Sequence, residues 1–521
     1  MAPRVRLPYV AVQPSLPHVV ADLVAPDSTV AAEDCWVSCY AYSPDHKSVH
    51  AKIRLAEADD RPRQVECSVT EGPIQVDMVS QSQFTVACPD LSIPATTILF
   101  PNPSANSLGF VPTTTSLNPT TQELPPPLFY RLATRGRRGG IETFTLSNDG
   151  GRKVLVGGAD GLASVVDVVH QLPSLGGSAQ QSSTRLIKGN ETPLRGHVGD
   201  ITDAAFFPSN EVVLTASSDM TLRVFSALDG SSPRTLKGHS KRVTACHVLA
   251  SPTRQGPHKG RMVLSASLDG TIRLWDVSTS KNERTWTLQQ PISKLVVLLG
   301  PAAATDDDDD VEASDPLRGR WALAAHTDGS VSLVDLGAGL ESEGMAPVVF
   351  RTLSPSPIDA ISTLGGWVAT ASRNGIVSLF HSPALLDLKE GARETTRVEA
   401  APVVEWSRTE GSSSILDVEL SSRVRTGSPP HPDHNYAQSL SILVAPSDGL
   451  AYRAVITTSP SEPKNADEQL VPPDVGVAVA EEFVGPDCEP ATCIREDEHG
   501  RVWISAGGTD GGLRVYERAE S

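Results

Sequence analysis

Apolar and polar positions alternate over short runs along most of this chain, and turn residues punctuate the runs at one recurring offset. In "VLSASLDGTIRLWDV", Val263, Ser265 and Ser267 alternate with Leu264 and Ala266, the pattern of a short strand buried on both sides. Asp269-Gly270 is a tight-turn pair, and Thr271 to Val277 reads as the returning strand. A hairpin this apolar needs neighbours, and the sequence supplies them. Related segments place turn residues at Asp160, Asp219, Asp269, Asp328, Asn374, Asp448 and Asp510. Six positions after them come Val166, Phe225, Trp275, Val334, Phe380, Ala454 and Tyr516. Successive turns lie 46 to 74 residues apart, so insertions of different lengths decorate a constant hairpin.

A hairpin repeated at such spacing matches a four-stranded propeller unit of about 40–45 residues. Seven such units would bury one another's faces and protect their edges by closing a ring. The upstream half of two units agrees. "LRGHVGDITDAAFF" puts His197 twenty-two residues before Asp219, and "LKGHSKRVTACHV" puts His239 thirty residues before Asp269. These features resemble WD-repeat propellers, whose glycine-histidine turn, strand serine, turn aspartate and strand tryptophan form a structural hydrogen-bonded set. The resemblance assigns that set here to His239, Asp269 and Trp275, with Ser265 or Ser267 as the hydroxyl member, and gives His197 and Asp219 the same places one unit earlier. The expected fold class is therefore all-β: a seven-bladed WD40-type β-propeller over residues 128–521, preceded by a small β-rich N-terminal domain and linker over residues 1–127. "CWVSCYAYS", "AKIRLAE", "RQVECSV" and "QFTVACP" are the β-like pieces of that first domain, and "SANSLGFVPTTTSLNPTTQELPPP" reads as the linker. "LFYRLAT" at 128–134 is expected beside the last unit, where it would cover exposed sheet edges.

Composition narrows the classes. The net charge of −18 argues against broad nucleic-acid binding and allows steering toward a basic partner. Seven cysteines in 521 residues fit a reducing compartment better than a disulfide framework, and the pairs Cys35/Cys39 and Cys488/Cys493 lack a second half for zinc. The proline-broken opening "MAPRVRLPYVAVQPSLPHVV" lacks a signal-peptide core, and "KLVVLLGPAAA" is too short to cross a membrane. Cytoplasm and nucleus are the expected locations. The run Asp306 to Asp310 reads as a solvated loop without the alternating ligands of a calcium site, so no metal and no cofactor is expected.

The Ser/His/Asp composition of the repeat set invites a hydrolase reading. A catalytic triad would be unique, whereas this group sits at repeat punctuation and recurs next door with Phe225 for tryptophan. No GxSxG elbow, Walker loop or HExxH pair accompanies it. No enzymatic activity is expected.

The run "GHVGDIT…FFPS…VVL", the "CWVSC" segment ahead of the repeats, "LKGH" at Leu236–His239 and the closing "TDGGLRVYE" resemble the proteasomal ATPase-associated factors, WD-repeat chaperones for assembly of the proteasome regulatory particle. Val334 and Ala454 at aromatic positions, and the aspartate-rich insertion, depart from the pattern. The resemblance implies a non-enzymatic assembly chaperone. It would bind the C-terminal domain of a proteasomal ATPase subunit, meet base assembly intermediates and restrain association with the proteolytic core. Asp200, Asp359 and Asp417, near first-strand starts, and Arg373, before a turn, are the candidate partner contacts, as groups borne on the repeats need little ordering on binding. The alternative is a generic WD-repeat scaffold, including a ubiquitin-ligase substrate receptor, although "IRLWDVSTS" lacks the arginine after "WD" associated with ligase-adaptor docking.

Overall fold

The computed structural model describes residues 4–99 with short breaks, the strands 114–116, 122–124 and 128–131, and residues 140–168, 185–187, 190–249, 262–299, 320–337, 348–382, 400–408, 413–422, 440–459, 474–483, 490–507 and 512–516, with Leu317 and Leu385 between them. Asp510, Cys488 and the Asp306–Asp310 run lie outside the described residues.

Beyond residue 140 the described residues form repeating four-stranded antiparallel sheets, of the kind that make WD40 propeller blades. They are numbered here I to VII by their first strands: Ile141–Leu146, Ile201–Phe206, Val243–Leu249, Ile292–Leu299, Ile358–Leu364, Ile415–Ser421 and Ala491–Glu496. The six-residue offset read from the sequence has a register meaning. Val166, Phe225, Trp275, Val334, Phe380, Ala454 and Tyr516 each stand opposite an apolar residue of the second strand: Val154, Val213, Val263, Ala322, Val368, Ile442 and Val502. All fourteen are buried, so the offset places one cross-strand apolar pair in the core of every sheet.

A second repeat is invisible in the residue types. Each of the seven first strands shifts register between its first and third residues, from Ile141/Thr143 in sheet I to Ala491/Cys493 in sheet VII. A bulge bends the strand and re-aims the side chains that follow. Those side chains reach the next sheet: Cys246 N–H donates to Asp203 Oδ2 (2.8 Å), Leu420 N–H to Ser362 Oγ (3.0 Å) and Glu496 N–H to Glu419 Oε2 (2.8 Å). First strands of successive sheets are thus joined through side chains as well as by apolar packing.

The N-terminal part has its own core. Strands Tyr9–Val12, Ala32–Tyr40, Ser48–Glu57 and Val65–Glu71 form one sheet with Thr114–Ser116, and Gln75–Ser80, Gln83–Cys88 and Ile93–Leu99 form another. The helix Leu16–Leu23 departs from the all-β expectation. Leu16, Val19, Val20 and Leu23 recur at helical spacing and bury against the sheets. A proline in its first turn fits, because no intrahelical partner is lost there. Cys35 and Cys39 are buried within a strand; burial pushes the first thiol up to about 11 and the second to about 12.

Three early segments leave this domain and extend later sheets. Arg4–Arg6 pairs in parallel with Val404–Ser407 of sheet V, and Gln122–Leu124 with Asp474–Phe483 of sheet VI. Leu128–Arg131 pairs antiparallel with Gly512–Tyr516 as the fourth strand of sheet VII, beside the last unit as the sequence suggests. Two of these strands precede residue 128, and Thr114–Ser116 and Gln122–Leu124 fall in the stretch expected to be linker. That expectation is corrected: main-chain pairing, which needs no apolar alternation, orders both pieces.

Candidate protein-interaction face

The turns that follow each second strand and the loops that lead into each first strand come together at one end of the sheets, and two of them are locked by a buried polar relay. In sheet III, Trp275 Nε1 donates to Ser265 Oγ (2.8 Å), Ser265 Oγ to His239 Nε2 (2.7 Å), and His239 Nδ1 to Asp269 Oδ2 (2.9 Å). A carboxylate only accepts, which puts the imidazole proton on Nδ1. Burial lowers the His239 pKa against the opposing pull of Asp269, so the ring is neutral and the relay runs in one direction. Burial would raise Asp269, but hydrogen bonds from Thr271, the Ser240 amide and His239 outweigh it and hold the carboxyl at about 2. Ser265 is therefore the hydroxyl member. Ser267 closes the turn instead, donating to Lys241 O (3.1 Å) and accepting from Asp269 N–H (3.1 Å).

Sheet II repeats the relay with substitutions. His197 Nδ1 donates to Asp219 Oδ2 (2.8 Å), and Thr215 Oγ1 donates to His197 Nε2 (2.9 Å). Phe225 occupies the tryptophan position and packs tilted against His197, at 6.3 Å between ring centres. Thr215 escapes a sequence pattern that asks for serine at that place, although its hydroxyl serves equally well. Neither set resembles a working triad, since Ser265 and Thr215 are fully buried.

Sheets IV to VII hold their polar groups differently. In sheet IV, Ser332 hydrogen-bonds His326 Nε2 (2.9 Å). In sheet V, Ser378 donates to the buried Glu405 (2.8 Å). In sheet VI, Arg453 is pinned by Glu481 (2.7 Å) and by Glu496 of sheet VII (3.0 Å). Burial opposes its charge, but the two carboxylates outweigh burial and raise its pKa. In sheet VII, Asp497 accepts from Arg501 (2.6 Å) and Trp503 Nε1 (3.0 Å). A charged residue inside an apolar strand, such as Arg453 in "LAYRAVI", is the sequence signal for these groups.

The four candidate contacts separate. Asp359 and Arg373 form a two-pronged ion pair with each other, at 3.1 and 2.8 Å, so neither is a free charge. Asp417 is buried rather than exposed; it accepts from Ile494 N–H (3.0 Å) and pairs with Arg495. The physical reason is the first-strand bulge, which turns this carboxylate toward sheet VII. Asp200 is half-buried, and its main-chain carbonyl accepts from Ser218 N–H (2.9 Å). Among the described residues no group of three or more His, Cys, Asp or Glu is placed to hold a metal, and no helix is long and apolar enough to cross a membrane.

Comparison with known proteins bears on this arrangement. The family model "WD domain, G-beta repeat" matches residues 190–226 and 230–276, which include the relay residues of sheets II and III. Periodic tryptophan protein 2 of Arabidopsis thaliana is 32% identical over 97 residues, 19% of this chain and 10% of that protein. The 26S proteasome regulatory subunit RPN14 of Saccharomyces cerevisiae is 47% identical over 53 residues, 10% of this chain and 13% of that protein. The small ribosomal subunit protein RACK1 of Dictyostelium discoideum is 37% identical over 98 residues, 18% of this chain and 27% of that protein. The chain thus spans between about a tenth and a quarter of the length of these relatives. Relatives built on WD40 repeats support a non-enzymatic assignment. The chain contains a WD40-repeat domain, a scaffold suited to protein–protein interaction.

Proposed function

We propose that this WD40 scaffold is an assembly chaperone that binds the C-terminal domain of a proteasomal ATPase subunit and assists assembly of the regulatory-particle base. The observation that carries the reading is the 47% identity to a proteasome regulatory subunit, together with the "GHVGDIT…FFPS" run. Its architecture in this reading is one seven-bladed ring over residues 128–521, with residues 1–127 as a separate N-terminal domain. Side-chain bonds between neighbouring sheets support closure. Thr202 Oγ1 donates to Val243 O from sheet II to III, and Thr244 Oγ1 to Ile292 O from III to IV. Thr492 Oγ1 donates to Ile141 O in the same way, from sheet VII to I. Cytoplasm and nucleus are the proposed locations.

A second reading, a scaffold serving another complex, is favoured by the spread of the relatives, whose names include a nuclear distribution protein and a pre-mRNA-processing factor. Titration of each isolated proteasomal ATPase C-terminal domain against the full chain separates the two. Saturable binding to one of them without nucleotide is the expected result. Binding to none would leave the scaffold reading standing alone.

A further inference from the structure

We propose that the outer loops of sheet II form an apolar knob that docks a partner segment carrying an apolar side chain flanked by carboxylates. The inference does not depend on which protein supplies that segment. The residue after the turn aspartate or asparagine has a left-handed backbone in every described repeat: Gly161 (φ 75°), Met220 (φ 68°), Gly270 (φ 81°), Gly329 (φ 84°), Gly375 (φ 82°) and Gly449 (φ 82°). Five of the six are glycine, as this conformation requires. Among these repeats sheet II alone sets a long side chain there, against the local preference, and leaves it 44% exposed. Backbone strain of this kind persists where the side chain serves a purpose.

Met220 has an apolar neighbour. Val198 is 89% exposed, and its amide donates to Asp219 Oδ2 (3.2 Å), the carboxylate just before Met220. Val198 and Met220 are thus tied at the backbone to the same residue, Asp219, whose carboxylate the His197 relay already occupies.

The charges around the knob are polarised. On its outer flank are Arg195 and Lys237, both exposed, each just before a glycine-histidine turn. Lys237 pairs in register with Thr221, the residue after Met220. The Arg223 guanidinium lies so close to Gly196 that a Cβ there would be 2.7 Å from it, and its Nε has no hydrogen-bond partner among the described residues. On the inner flank the half-buried Asp200 shares its surroundings with Glu142 and Arg242. An apolar side chain seated on Met220 and Val198 would thus find the exposed cations Arg195 and Lys237 close by, on a molecule whose net charge is −18.

The substitution that tests this also controls for folding. Met220→Gly removes the knob and restores the residue the turn prefers, so the variant should melt at or above the wild-type temperature. Short random peptides displayed on phage are selected on the full chain, with a Val198→Ser/Met220→Gly variant as counter-target. Enriched peptides should combine a large apolar residue with neighbouring Asp or Glu. Their affinity should fall roughly tenfold or more on Met220→Gly, and again on Arg195→Glu/Lys237→Glu. Enrichment of basic peptides, or binding unchanged by Met220→Gly, would overturn the proposal. So would self-association abolished by Met220→Gly, which assigns the knob to a second copy of the chain.

Discussion

Asp269 does its work by accepting. It holds the imidazole of His239, the amide of Ser240 and both donors of Thr271, so four groups lose a partner together when it is removed. Asp269→Ala should cost about 1–3 kcal/mol of folding stability, whereas Asp359→Ala, which breaks an exposed pair, should cost about 1 kcal/mol or less. Chemical denaturation of the two variants checks the ranking. The penalty also has a pH signature. The carboxyl sits at about 2 in the fold, below the usual value near 3.9, so its contribution is complete above about pH 4. It is lost as pH falls through about 2, because folded and unfolded chains are then protonated alike. The gap between wild type and Asp269→Ala should therefore narrow from about pH 4 downward; a constant gap would mean that packing, not charge, sets the cost.

At the level of elements, polar side chains at or just past the first-strand bulges of sheets II, V and VI reach across the seam to the next sheet. Asp417 is the clearest case, joining sheet VI to the Ile494 amide and to Arg495 of sheet VII. Asp417→Ala should destabilise the fold by about 1.5–3 kcal/mol, more than Asp200→Ala, and calorimetry on both variants decides it. The hairpins, their turn residues and the glycine-histidine relay are legible in the sequence because each is set by neighbours within one unit. The choice between Ser265 and Ser267 is not, since both face the same side of one strand and only height along it separates them. Nor can the sequence place Asp417, whose partner lies 78 positions away. The three-residue strands Arg4–Arg6 and Gln122–Leu124 are too short to carry any period at all.

Taken whole, the molecule relies on its early residues to finish its late sheets. A chain beginning at residue 125 keeps Leu128–Arg131 and should unfold in one transition, although it melts lower for want of the strands on sheets V and VI. A chain beginning at residue 136 loses the fourth strand of sheet VII and should show an additional, earlier transition by calorimetry. Equal profiles would mean that this strand merely decorates the sheet. The same pairing sets a clock on synthesis. Leu128–Arg131 leaves the ribosome first, and Gly512, which it must meet, is made 381 residues later (512 − 131). At about 5–20 residues per second the early strand waits about 20–75 s with the edge that Gly512–Tyr516 will cover still open, its other edge pairing with Arg185–Ile187. Sheet VII therefore closes only after Gly512–Tyr516 has been made, and a slowed ribosome lengthens the interval in which the waiting edge can pair wrongly.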